Sequence, residues 1–403
     1  MRVAVLGAGY AGLTLARKLE SSLPESADLV VVDESETHVV QHELHRVVRR
    51  PAVEDEISIP LTDLLDCEVR QAAVTSVDPE AGVARLDGAD DLEYDVGAVC
   101  LGAETAFYDI PGLREHATPL KRLDHAREIR ERYLGLLDEG GRVVVGGAGL
   151  SGVQVAGELV EMARAHESDG DGEGNSGPEV VLLEQLDSVA PSFPEAFQRA
   201  VADQLGQRGV EIRTETTVEA VDGETITVAD GADLSYDQLV WTGGLQGPSA
   251  LDDERPVVRS DLRLADETFA VGDVARVVDT DGEPVPASAQ AAIREAGVAA
   301  ENVTALVEHR LAGAGGFEPR LDRYTFDSLG WLVSVGDGAV AQVGDGVLTG
   351  QAALALKTSV GAGYLGSVGA VENAVELVQS ELGLAVDGAD DDASDPEAVD
   401  TEP

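Results

Sequence analysis

Apolar positions open the chain as a short unbroken run, Val3-Ala4-Val5-Leu6, which stops at Gly7-Ala8-Gly9-Tyr10-Ala11-Gly12. From Leu13 the apolar residues return at helical spacing through Leu19, and a second unbroken run, Leu29-Val30-Val31-Val32, ends on Asp33. The pattern predicts a strand, a glycine turn, a helix, and a second strand closed by an acid. The same order recurs further along. Val143-Val144-Val145 is apolar, Gly147-Ala148-Gly149-Leu150-Ser151-Gly152 is the turn, a helix is predicted over 153–165, and Val180-Val181-Leu182-Leu183 ends on Glu184. Residues 166–178, rich in Gly and Asp, read as an exposed insertion.

The remaining pattern is coarser. Residues 34–50 read as a polar helix that places His38, His42 and His45 at i, i+4 and i+7 on one face. Short strands with turns at Asp78-Pro79 and Asp87-Gly88 fill 67–99, an apolar strand covers 94–103, and Ile110-Pro111-Gly112-Leu113 breaks the pattern. A helix is predicted over 122–137, with Leu123, Ala126, Ile129, Tyr133 and Leu136 on one face. A further helix (197–207) and strands lead to Gln238-Leu239-Val240-Trp241-Thr242-Gly243-Gly244, and Phe269-Ala270-Val271-Gly272-Asp273 is another strand ending on an acid. Ala287-Ser288-Ala289-Gln290 opens a helix to about Leu311, residues 317–349 read as short strands, 352–382 as largely helical, and 387–403 as a disordered acidic tail.

Each part of the repeated unit has a physical task. Gly7 permits a tight turn, Gly9 lets the backbone approach a pyrophosphate, and Gly12 lets helix and strand pack closely. The helix N-terminus offers free N–H groups and partial positive charge to phosphates. Asp33 lies 21 residues past the last glycine, where a carboxylate reaches a ribose hydroxyl. One glycine turn could belong to some other α/β unit; a second copy makes the signal specific. In that copy the acid comes 32 residues after Gly152, or 19 once the 13-residue insertion is removed. Two such units imply two dinucleotides, or a dinucleotide and a flavin, brought together so that electrons pass between them. An acid at Glu184 accepts from a free 2′-hydroxyl and repels a 2′-phosphate, which favours NADH over NADPH.

Composition narrows the partners. The 403 residues suggest two or three domains, and carry 76 acidic and 28 basic side chains, a net charge of −48, with Lys18, Lys121 and Lys357 the only lysines. Such a chain repels nucleic acid and anionic membrane surfaces. Disorder is countered by 43% hydrophobic residues, and adaptation to high salt accounts for the acidity, since screening shortens to about 3 Å at 1 M. Cys67 and Cys100 form no CxxC pair, so neither a zinc ribbon nor a dithiol redox centre is expected. The three histidines lack a carboxylate or cysteine at firm metal-ligand spacing, and no metal is expected. With no signal segment or apolar run long enough to span a bilayer, a cytoplasmic protein, soluble or peripheral, is expected.

Over about residues 1–382 the chain resembles the two-dinucleotide-binding flavoproteins, and within them the type II NADH dehydrogenases (NADH:quinone oxidoreductases). Besides the two glycine turns, the resemblance rests on residues 94–102 leading to Ile110-Pro111-Gly112-Leu113, Val240 through Gly244, Gly272-Asp273, Pro286 through Gln290, and residues 350–366 with Lys357 and Tyr364-Leu365. Gln154 stands where members often carry Glu, while Glu158 is retained; His42 and His45 stand where a Pro and an aromatic residue are usual. The resemblance implies an α/β fold with two Rossmann-like domains and a small C-terminal helical and strand segment. It divides the chain into an FAD-binding part (1–118), an NADH-binding domain (119–250), a second FAD-binding part (251–316), an acceptor-side segment (317–386) and the tail (387–403). FAD would contact Gly7, Gly9, Tyr10, Ala11, Gly12, Asp33, Glu34, Val74, Gly102, Gly272, Asp273, Ala289 and Gln290. NADH would contact Gly147, Gly149, Leu150, Ser151, Gly152, Glu184, Gly243 and Gly244. Gln290, Lys357 and Glu158 are the implied catalytic residues. Hydride would pass from NADH to flavin and electrons on to a quinone or other small acceptor, with room for peripheral contact with the inner face of the cell membrane and for a homodimer. A flavin reductase with a soluble acceptor and a flavin-bound redox sensor without turnover are the alternatives.

Overall fold

The computed structural model describes residues 1–168, 177–229, 231–313 and 317–381. The expected tail at 387–403 and residues 169–176 of the expected insertion lie outside them. The first apolar runs form the middle of a six-stranded sheet, ordered Arg263–Ala265, Thr268–Ala270, Val96–Val99, Arg2–Leu6, Asp28–Asp33, Glu68–Gln71. All neighbours are parallel except the outer pair Arg263–Ala265 and Thr268–Ala270. The second set forms a five-stranded, wholly parallel sheet, ordered Ala117–Pro119, Gln238–Trp241, Arg142–Gly146, Glu179–Leu183, Glu211–Arg213. In both sheets the strand before the glycine turn lies between the strand its helix leads to and one from much later in the chain. The turn therefore sits at a switch point, at the carboxyl ends of the strands, where an α/β sheet leaves a crevice.

Packing explains why the interrupted first unit closes. Helix Ala289–Leu311 returns to lie along helix Tyr10–Ser22, burying Ala292, Ala296, Ala299 and Val303, and the Ser22 and Thr304 hydroxyls bond at 2.8 Å. Small side chains on one face allow the close approach. The two chain crossings between the sheets pair as short antiparallel strands, Glu104–Thr105 with Leu245–Gln246.

The C-terminal segment is a three-stranded antiparallel sheet, Trp331–Val335, Gly338–Val343 and Gly346–Thr349, followed by helices Gln351–Ser367 and Val371–Glu381. It touches both units. A Cβ on Gly157 of the second-unit helix would come within 2.5 Å of the Gly336 nitrogen, and Lys357 reaches Glu43 of the first unit at 2.8 Å.

The largely helical C-terminal stretch is borne out as two helices, Gln351–Ser367 and Val371–Glu381, separated at Val368-Gly369-Ala370, with Gly369 at φ +90°. Two expectations are corrected. The second-unit helix runs Leu150–Ser168, so residues 166–168 continue it rather than begin a loop. The three histidines do not share a helix face: His38 is on strand Thr37–Val39, His42 in a 3₁₀ turn Gln41–Glu43 and His45 on the short helix Leu44–Arg49. Pairing of Thr37–Val39 with Ser58–Pro60 overrides the helical spacing. Among the described residues no group of His, Cys, Asp and Glu could hold a metal ion.

Candidate functional site

The two glycine turns have the same geometry. Gly7 has φ +101° and Gly147 φ +93°, the left-handed region in which a side chain is strained. A Cβ on Gly12 would overlap the Gly7 carbonyl oxygen, and one on Gly152 the Gly147 carbonyl oxygen, which is the tight helix–strand packing the third glycine allows. The middle glycines differ in kind: nothing lies within 4 Å of the place a Cβ would take on Gly9 or Gly149. Gly9 caps helix Tyr10–Ser22 without a side-chain bond, so the first N–H groups stay available. An open side against unused helix N–H groups is what a pyrophosphate requires.

Each turn is tied to its closing acid. Asp33 accepts from Ala8 N (2.6 Å) and Ser35 N (2.8 Å); Glu184 accepts from Ala148 N (2.9 Å) and Leu186 N (3.0 Å). Burial pushes Asp33 up, partly offset by those two N–H bonds. Leu150 and Ser151 begin the second-unit helix, and Tyr10 and Ala11 the first. Glu34 is exposed and pairs with Arg122 at 3.2 Å. Val74 opens strand Val74–Asp78. Gly102 (φ +71°) comes after strand Val96–Val99 and Gly244 (φ +73°) after strand Gln238–Trp241, with Gly243 against the Trp241 ring.

The strand expected to run to Asp273 ends at Ala270, and Gly272 and Asp273 form the turn after it, Gly272 lying against Ala11 of the first-unit helix. Gly272 N donates to Glu295 (2.7 Å), and Arg255 donates to the Asp273 carbonyl (2.7 Å). Asp273 is raised by burial against the opposing pull of Lys121 and Arg255. Glu295 is pushed up to about 7, chiefly by burial, with Asp273 adding to it. A small cavity here is lined by Arg255, Gly272, Asp273, Pro286, Ala291 and Glu295. Ala289 and Gln290 begin the helix above it, and the Gln290 Oε1 is buried without a partner. Sequence reasoning missed Glu295, Lys121 and Arg255. The available signal was an acid on an otherwise alanine face, Glu295 among Ala291, Ala292, Ala296 and Ala299.

Glu158 and Lys357 fall in a second cluster, away from Gln290. Arg49 Nε binds Glu158 at 2.5 Å, and its other end binds Asp337 at 2.5 Å, joining the first unit, the second-unit helix and the C-terminal hairpin. Burial raises Glu158, with Arg49, Arg50 and Lys357 pulling it back, and its Oε1 has no partner. Lys357 is buried, its ammonium bonded to Glu43. Burial pushes Glu43 up, but Lys357, His42 and His45 outweigh it and hold the carboxylate well below the usual range. Arg46 lies 3.3 Å from the same carboxylate. Arg130 satisfies the end of helix Leu44–Arg49 by donating to Val48 O and Arg49 O. Glu43 was missed because its partner is distant in sequence.

Both cysteines are free; burial pushes Cys67 up to about 12 and raises Cys100 as well, so neither is an available thiolate.

The profile of the pyridine nucleotide-disulphide oxidoreductase family matches residues 1–296. The chain is similar to the type II NADH:quinone oxidoreductase of Staphylococcus haemolyticus (strain JCSC1435), 27% identical over 365 residues, covering 83% of this chain and 89% of the relative. That of Staphylococcus aureus (strain NCTC 8325 / PS 47) is 26% identical over 366 residues with the same coverage. Among solved structures, NDH2 from Plasmodium falciparum in complex with NADH superposes with TM-score 0.79 at 15% identity, over 94% of this chain and 98% of that one. The sulfide:quinone oxidoreductase of Aquifex aeolicus superposes with TM-score 0.74 at 18% identity, over 92% of each. At these identities the two structures speak to the fold.

Proposed function

The chain belongs to the pyridine nucleotide-disulphide oxidoreductase family, matched over residues 1–296, and from that premise we propose that it is an FAD-dependent NADH:quinone oxidoreductase of the type II kind. The observation that carries the reading is the duplicated turn, each copy open at its middle glycine and closed by an acid. Similarity to type II NADH:quinone oxidoreductases over 83% of the chain supports the acceptor.

In this reading residues 1–118 and 251–316 hold FAD, 119–250 hold NADH, and 317–386 cover the acceptor side. The Gly7–Gly12 turn and its helix take the flavin pyrophosphate, Asp33 its adenosine ribose, Gly272-Asp273 the ribityl end, and Ala289-Gln290 the ring. The Gly147–Gly152 turn takes the NADH pyrophosphate and Glu184 its ribose diol. When bound, the flavin supplies two-electron chemistry, and the protein supplies position and electrostatics. Glu158 and Lys357, locked through Arg49 and Glu43, brace the joint between nicotinamide and acceptor sides.

No described helix is long and apolar enough to cross a membrane. A lipid-soluble quinone implies peripheral contact instead, and the exposed Val343, Leu348, Val360, Val371 and Val375 of the C-terminal segment are available for it.

The test is direct. The protein is purified in molar KCl, its flavin spectrum recorded, and NADH then a short-chain quinone added without oxygen. Bleaching by NADH and recovery by quinone are expected. Bleaching with recovery only by a ferredoxin or dye assigns a soluble acceptor, and absence of bound flavin refutes the reading.

A further inference from the structure

Behind the first glycine turn lies a buried acid, Glu295, 2% exposed on helix Ala289–Leu311. One of its carboxyl oxygens accepts from Gly272 N at 2.7 Å, and among the described residues that N–H is its only hydrogen-bond donor. The side chain lines the small cavity it shares with Gly272, Asp273 and Arg255. Gly272 itself backs onto the first-unit helix: a Cβ there would come 3.0 Å from the Ala11 Cβ. Cys100, whose thiol feels the Glu295 charge, also touches the turn, since a Cβ on Gly12 would come 3.2 Å from the Cys100 Cβ. Glu295, the Gly272-Asp273 turn and the Gly7–Gly12 turn are thus one packed unit.

The charges around Glu295 do not neutralise it. Asp273 repels it and Arg255 attracts it, but the Arg255 guanidinium is committed to backbone, donating to Asp273 O at 2.7 Å and Ala275 O at 2.9 Å. Among the described residues Glu295 has no ion pair. Tyr324 of the C-terminal segment and Cys100 face it with groups that burial keeps uncharged. Lys121 acts on Asp273, and Lys18 of helix Tyr10–Ser22 runs along Gly297 instead, where a Cβ would come 3.8 Å from the Lys18 Cε. Burial pushes Glu295 up to about 7, with Gly272 N pulling it back, Asp273 adding to the rise and Arg255 opposing it. Asp33, the other acid tied to this turn, accepts two backbone N–H bonds where Glu295 accepts one.

We propose that Glu295 is the positioning residue of the Gly272-Asp273 turn and that FAD binding is coupled to proton uptake at its carboxyl. The proposal rests on the reading that the Gly7–Gly12 turn takes the flavin diphosphate. That dianion comes to a turn already backed by two buried carboxyls, Asp273 and Glu295. A nearby negative charge disfavours the ionised carboxyl, and covering the cavity desolvates it further. A neutral carboxyl keeps an acceptor oxygen for Gly272 N, so the turn is held in either state. The step balances as one flavin-free protein with ionised Glu295, one FAD and one proton giving one loaded protein with neutral Glu295. Affinity is therefore full below the flavin-free value and is lost as pH rises from about 7 toward the higher value of the loaded protein.

The test follows FAD rebinding to the full-length protein, freed of flavin and kept in molar KCl, by flavin fluorescence across pH 6–8.5. Binding is expected to be about 10-fold weaker at pH 8.5 than at pH 6.5. Calorimetry of the wild type at pH 7.5, in phosphate and in Tris, is expected to show uptake of roughly 0.7 proton per FAD. Glu295→Gln keeps an acceptor for Gly272 N without a charge. It is expected to bind as the wild type does at pH 6.5, with neither pH dependence nor uptake. The loaded wild type should show a protonated-carboxyl infrared band that this variant lacks. Asp273→Asn is expected to bind more weakly yet keep the uptake, which separates the two carboxyls. Wild-type affinity independent of pH, zero uptake, a Glu295→Gln protein as pH-dependent as wild type, or an uptake that vanishes in Asp273→Asn overturns the coupling. A wild type that binds no FAD at any pH overturns the parent reading and the coupling with it.

Discussion

Lys357→Met isolates one buried charge. The ammonium lies 2.8 Å from the Glu43 carboxylate, with the two side chains 4% and 2% exposed. Removing one partner of such a pair leaves a desolvated charge and typically costs about 3–5 kcal/mol. Glu43 keeps Arg46 at 3.3 Å and His42 at 3.2 Å, so the expected loss falls at or just below the bottom of that range, about 2–3 kcal/mol. Methionine retains most of the packing length, which confines the effect to charge. Because Glu43 is held below its ordinary value, its contribution is present above the unfolded value near 4.5 and is lost as pH falls through the lower folded one. Without Lys357 that loss begins at higher pH. Urea unfolding in molar KCl at pH 7, repeated at pH 5, gives the free energies. Hydrogen exchange across Gln351–Ser367 reports whether that helix undocks locally. Adding Glu43→Gln to Lys357→Met should recover part of the loss, since no unpaired carboxylate remains, with a coupling of about 1–3 kcal/mol in the cycle. A single-variant loss below about 0.5 kcal/mol, within the range of ordinary surface substitutions, with unchanged exchange protection, would refute the buried-pair argument.

At Gly9 nothing lies within 4 Å of the place a Cβ would take, so Gly9→Val should fold with near wild-type melting temperature yet purify colourless; a yellow, fully loaded variant contradicts pyrophosphate binding there. Glu184→Ala should narrow the NADH over NADPH preference in kcat/KM by roughly 1–3 kcal/mol, the worth of a charged hydrogen bond, and an unchanged ratio would place the selectivity elsewhere. Glu295, raised to about 7 by burial, makes the flavin-free protein lose stability as pH rises from about 4.5 to 7, by about 3 kcal/mol at full effect. Glu295→Gln keeps an acceptor for Gly272 N and should flatten that slope in pH-dependent urea unfolding; a slope equal to wild type would show that Glu295 does not titrate there.

The two strand–turn–helix units were legible because their determinants are local. A positive φ at Gly7, the absence of a Cβ at Gly12 and an acid at the next strand's end act within about one supersecondary unit, and spacing reports them directly. Even the second unit, stretched by an insertion, kept its order of parts. The short strand Thr37–Val39 was not legible, because its partner Ser58–Pro60 lies outside any helical window and its ladder bonds outweigh a weak i, i+4, i+7 pattern. The helix break at Gly369 was equally hidden, the apolar positions on both sides continuing as if one helix.

The charge pairs belong wholly to the tertiary structure. Lys357 and Glu43 are 314 residues apart, and Arg49 reaches Glu158 and Asp337 over separations of 109 and 288 residues. Composition singled out Lys357 as one of three lysines in a chain of net charge −48, which marked the residue but not its partner. A hydrophobic pattern encodes which face is buried. Which carboxylate a buried cation meets depends on how the C-terminal helix docks across the first unit, and the same docking brings the Tyr364 hydroxyl to His38 Nε2 at 2.9 Å.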